Sequence, residues 1–124
     1  MGKRVEVAMI SARAGHRYLI KGEGELIPLD DVDIDDFDRG QTAIFHAKHY
    51  SQDAKANWFT VNLWTGLYIT GGSSRKQCLE DFNKALPQYV SMLNNPERYK
   101  FFRDNHEELK KLKTQAISQQ ALHI

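Results

Sequence analysis

The hydrophobic pattern of this chain changes its period once, and that change limits the folds open to it. Up to about residue 70 the apolar side chains alternate. Val5, Val7 and Met9 fall on one side with Glu6 on the other, and Phe59, Val61 and Leu63 alternate with Trp58, Thr60, Asn62 and Trp64. A period of two is that of a strand with two unlike faces. After Ser74 the spacing becomes three and four: Leu79, Phe82, Leu86, Tyr89, Val90 and Leu93 form one helical stripe. Strands first and helices last define an α+β fold: about five antiparallel strands, then two or three C-terminal helices packed on one face of the sheet.

The punctuation agrees with that order. Arg4 to Ile10 reads as the first strand and Arg17 to Lys21 as the second. Gly22 and Gly24 mark a bend or bulge before Glu25 to Leu29. Thr42 to Tyr50 is the third strand, and Trp58 to Trp64 is the clearest. Thr65-Gly66 is a hairpin signal, and Leu67 to Thr70 returns until Gly71-Gly72 stops the sheet. Ser74 and Gln77 fit a capping box. Pro87 either kinks the helix or opens a new one, and Asn95-Pro96-Glu97 sets cap, proline and acid in the order of a fresh helix start. Tyr99, Phe102, His106, Leu109, Leu112 and Ala116 continue that helix, with fraying expected after about residue 117.

With 124 residues, residues 1–124 read as one domain, long enough to bury an ordinary core. Hydrophobic residues at 41% and charged residues at 27% are a globular composition. The net charge is only +1, so no global field draws the chain to nucleic acid or to a membrane. The charge is uneven all the same. Lys3, Arg4, Arg13, Arg17 and Lys21 face only Glu6 in the first 22 residues, whereas residues 23–38 hold eight acids and no base. The single cysteine, Cys78, excludes an intrachain disulfide, and no apolar run reaches the length of a membrane span or a signal segment. A cytoplasmic location is expected.

Metal and catalytic motifs are weak. Asp31, Asp33 and Asp35 match positions 1, 3 and 5 of a calcium-binding loop, but Asp36 stands where that loop needs glycine and Thr42 where it needs glutamate. His46 and His49 point to opposite faces if their segment is a strand, and one cysteine cannot complete a zinc set. No nucleophile elbow, phosphate-binding loop or dinucleotide fingerprint occurs. The expectation is therefore a chain without cofactor or metal and without enzymatic activity.

Two features invite a binding role. Trp58, Asn62, Trp64 and Tyr68 would share the face of the hairpin opposite Phe59, Val61 and Leu63. If the helices cover the latter, an aromatic patch is left for a partner. The competing reading is a sheet that curls, or a loop that folds over it, burying these rings. The other feature is Ser73, Ser74, Arg75 and Lys76, where a helix opens on two bases instead of acids, each placement costing about 0.3–1 kcal/mol. That is an anion site if the backbone N–H groups and both cations converge, and a plain cap if the long side chains reach into water. Trp58 to Phe82 has the general look of a strand–turn–strand–helix unit, too common to carry a function. The reading that best fits is a small non-catalytic binding protein acting through protein–protein contacts. The alternative is a single-stranded nucleic-acid binder that stacks bases on the aromatic face, with Arg75, Lys76, Lys48 and Lys55 tracking the phosphates.

Overall fold

The computed structural model describes residues 3–13, 15–29, 37–47 and 57–122, apart from the side chains of 13, 37, 38 and 116–122. Five strands come first: β1 (Arg4–Arg13), β2 (His16–Ile27), β3 (Thr42–His46), β4 (Trp58–Asn62) and β5 (Tyr68–Gly72). Two helices follow, α1 (Arg75–Leu93) and α2 (Tyr99–Leu122), with a 3-10 turn over Pro96–Arg98 between them and another over Phe37–Gly40 before β3. The strands form one antiparallel meander in which sheet order equals chain order. This is the α+β architecture the change of period implies.

Several local expectations are corrected. Gly22 and Gly24 do not interrupt β2, which pairs with β1 from His16 to Glu25 and with β3 from Gly24 to Ile27. A side chain at Gly22 would place its Cβ 2.5 Å from Phe45 Cε2, so the missing Cβ lets that ring lie on the strand. Gly71 and Gly72 belong to β5 instead of ending it. The third strand ends at His46, and 48–50 lie outside the described residues, as do His49, Lys48, Lys55 and the acidic run 30–36.

Both faces of the middle strands are buried, which an open sheet with helices on one side does not explain. Thr42, Ala43, Ile44 and Phe45 of β3 and Phe59, Thr60, Val61 and Asn62 of β4 are all buried. On the outer face Phe82, Tyr89, Leu93 and Phe102 of the helices pack with Ile27, Leu29, Trp64, Ile69, Leu86 and Met92. On the inner face Val7 and Met9 of β1 join Ala43, Phe45, Ala47, Phe59 and Val61. β1 lies three strands from β4 in the sheet, so this cluster requires the sheet to curl until β1 turns toward β4. The Ile10 N–H donates to the Gly66 carbonyl at 2.8 Å, tying the outer edge of β1 to the β4–β5 turn. Gly66 has φ +74°, the left-handed region that costs any residue with a Cβ. It also sits against Leu109 Cδ1 and Ala8 O, where a Cβ would lie at 2.8 and 3.0 Å.

The helices start where their caps direct. Ser74 Oγ accepts from Gln77 N–H at 3.1 Å, while Gln77 Oε1 reaches Ser73 and not the backbone of Ser74, so the box closes one residue early. Asn95 Oδ1 accepts from Glu97 N–H at 3.0 Å. Pro87 lies inside a continuous α1 on its exposed side, and Asn83, whose carbonyl has no proline N–H to bond, is an exposed residue too. Trp64 stacks on His106 of α2, with centroids 4.2 Å apart and planes 8° from parallel, and His106 Nδ1 lies 2.7 Å from Trp64 O. Together with Leu109 under Gly66 and an ion pair from Arg17 to Glu108, this stacking fixes α2 to the sheet.

Candidate binding cleft

The face assignment of β4 is the reverse of the expected one. Thr60, Asn62 and their neighbour Thr70 meet α1, and Phe59 and Val61 point into the curl. Thr60 and Thr70 hydroxyls lie 2.6 Å apart, and Thr70 Oγ1 donates to Cys78 O at 3.2 Å. The register then shifts between Thr60 and Val61, so that Tyr68 stands opposite Val61 with Ile69 as the extra residue. Tyr68 accordingly shares the face of Val61, with its ring centroid 5.3 Å from that of Phe59.

The four hairpin residues therefore do not make one patch. Trp58 is half-buried against His46, at 4.7 Å between centroids. Trp64 is half-buried under α2. Asn62 is buried and Tyr68 is 56% exposed. The structure does bring Asn62 and Tyr68 together, at the wall of a cleft between α1, the N-terminal turns of α2 and the β4–β5 hairpin. Its volume is about 330 Å³, at the lower end of the range for ligand pockets. Leu67, Ile69, Ala85, Met92 and Phe102 give apolar walls and Phe101, 43% exposed, gives an aromatic rim, while Tyr68 lies at the edge with its ring turned to Phe59.

Asn62, Thr65, Gln88 and Tyr89 supply the polar lining, and Asn62 organises its buried part. Asn62 Nδ2 donates to Arg39 O at 2.7 Å and to Tyr89 Oη at 2.8 Å. Its Oδ1 accepts from the N–H groups of Trp64 (3.0 Å) and Thr65 (2.9 Å) and from Thr65 Oγ1 (3.0 Å). Tyr89 Oη also lies 3.1 Å from Thr42 Oγ1 and donates to Gly40 O at 3.5 Å. Burial pushes the Tyr89 hydroxyl above the ordinary tyrosine value, against the opposing pull of the Thr42 and Asn62 hydrogen bonds. Burial likewise pushes up the Cys78 thiol, against its hydrogen bond with Thr70, so this cysteine is a protonated core group. The buried polar lining is thus bonded within the chain, Gln88 is exposed, and the remaining walls are apolar.

The second candidate set is also engaged internally. Ser74 caps α1, Ser73 Oγ donates to Gln77 Oε1 at 2.8 Å, and Arg75 Nη2 donates to Glu25 Oε2 at 2.9 Å. Lys76 is exposed. Among the described residues no three metal-ligating side chains come together, and no helix is long and apolar enough to cross a membrane.

Sequence reasoning missed Phe101, Met92 and Ala85, the helical part of the cleft. One signal was present. Phe101 is apolar yet off the stripe of Tyr99, Phe102, His106 and Leu109, so α2 cannot bury it on the sheet. Comparison with protein-family models, with curated proteins and with solved structures finds no match.

Proposed function

We propose that this is a small non-catalytic binding protein that acts through protein–protein contacts, and that the cleft receives an apolar side chain of the partner. The observation that carries this reading is a largely apolar cleft whose rim exposes Phe101 while its buried polar lining is already hydrogen-bonded. Such a site offers area to an aliphatic or aromatic group and little to a polar one. Aromatic anchors seated in pockets dominate the energetics of many interfaces. Base stacking finds less support, because Trp58 packs at a tilt against His46, Trp64 is stacked on His106 and Arg75 is paired with Glu25.

The test is affinity capture with and without nuclease, comparing the native chain with Phe101→Ser and Ala85→Phe, the second of which fills the cleft. A nuclease-resistant protein retained by the native chain and lost with both correctly folded variants is expected. Undiminished retention by Ala85→Phe would rule the cleft out.

A further inference from the structure

We propose that the partner segment held in the cleft is acidic, and that Arg39, Arg98 and Arg103 form the patch that receives its carboxylates. This inference rests on the cleft being the docking site. Arg4, Arg17 and Arg75 each pair with a glutamate, namely Glu23, Glu108 and Glu25. Among the described residues Arg39, Arg98 and Arg103 have no carboxylate partner; Arg39 and Arg103 lie over Tyr99, and Arg98 precedes it in the chain. The Arg39 and Arg103 guanidinium carbons sit 5.0 and 5.8 Å from the Tyr99 ring centroid, so one exposed ring holds two like charges. Among the described residues no acceptor reaches the buried Arg39 Nε. The guanidinium forks of Arg39 and Arg103 suit carboxylates, which such forks hold with two parallel hydrogen bonds.

The patch and the cleft share supports. Asn62, on the cleft wall, donates to the Arg39 carbonyl, and Phe102, also on the wall, lies one helical turn beyond Tyr99. A ligand filling both must present an apolar group beside an anion. A peptide carries these on neighbouring residues. A nucleic acid would bring base edges to a lining whose buried polar groups are already bonded. The net charge of +1 gives the chain no general preference for acidic peptides, so any preference must come from a local patch.

The test uses the full chain and two short fluorescein-labelled helical peptides with the same leucine stripe, one filled in with glutamate and one with lysine. The acidic peptide should bind about tenfold more tightly, a difference of about 1.4 kcal/mol, and should weaken with added salt. Arg39→Gln with Arg103→Gln should bring the two peptides to parity while leaving leucine-dependent binding in place, and Arg75→Gln should change neither. Equal affinities in the native chain would overturn the acidic patch and leave the cleft standing. Failure of both peptides to bind would remove the cleft and this inference together. Displacement of the acidic peptide by oligothymidine would assign the arginines to phosphates and overturn it. Self-association of the native chain that Arg39→Gln abolishes would assign them to the acidic run of a second copy, with the same result.

Discussion

Replacing Asn62 by alanine tests whether this residue organises the cleft or binds a ligand. Asn62 is 2% exposed and makes five hydrogen bonds, joining the 3-10 turn at Arg39, helix α1 at Tyr89 and the β4–β5 turn at Trp64 and Thr65. At about 1 kcal/mol net for each bond, less what water entering the cleft restores, the loss comes to roughly 3–5 kcal/mol. That is a large share of the roughly 5–15 kcal/mol of a typical domain. For a chain of this size it corresponds to a fall in Tm on the order of 10–20 °C. Urea unfolding followed by circular dichroism gives the number. Asn62→Asp separates the two halves of the network. It keeps the acceptor for Trp64 and Thr65 but sets a carboxylate oxygen against the Arg39 carbonyl. Its deficit should shrink when the new carboxyl is protonated at acid pH, because protonation restores a donor. A loss below about 1 kcal/mol in the alanine variant, or a loss of partner binding at unchanged stability, would refute the organising role.

Two further outcomes follow from packing and burial. Gly66→Ala must take φ +74° with a Cβ against Leu109 and the Ala8 carbonyl, and should cost on the order of 3 kcal/mol; Gly22→Ala, pressed on the buried Phe45 ring, should cost about 1–3 kcal/mol, both read by urea unfolding. Tyr89 keeps its proton longer in the folded chain than in the unfolded one. Its contribution is therefore whole below the ordinary tyrosine value of 10.0 and declines as pH rises from there through the raised folded value. Absorbance titration at the phenolate band should show one late tyrosine, with stability falling over the same alkaline window, and Tyr89→Phe should remove both.

What was legible in the sequence was mainly what neighbours decide. The change of period gave the order of strands and helices, Ser74 and Asn95 marked two helix starts, and Thr65-Gly66 marked the hairpin, each through contacts within a few residues. Which face of β4 meets the helices was not legible, because that depends on the curl. The inner face must be the more apolar, and β1 seals Phe59 and Val61 there. Asn62 meets α1 through its hydrogen bond to Tyr89, and Thr60 through Thr70, which bonds to Cys78, contacts that apolar periodicity does not register. Tyr68 was placed with Asn62 by counting in twos, a count that the extra residue at Ile69 breaks. The cleft itself joins residues from 62 to 102, so no local spacing announces it.

The plain strand order has a consequence for how the chain assembles. Each strand finds its partner next along the sequence, so the meander can form hairpin by hairpin, each with its own small loss of chain freedom. The tie from Ile10 to Gly66 is of another kind, spanning the whole meander. Made first, it would cost roughly 2 kcal/mol more in loop closure than the five-residue link at 63–67. Made after the strands are paired, its ends are already close and most of that difference disappears. The curl thus puts its long-range contact where a chain built from neighbours can reach it last.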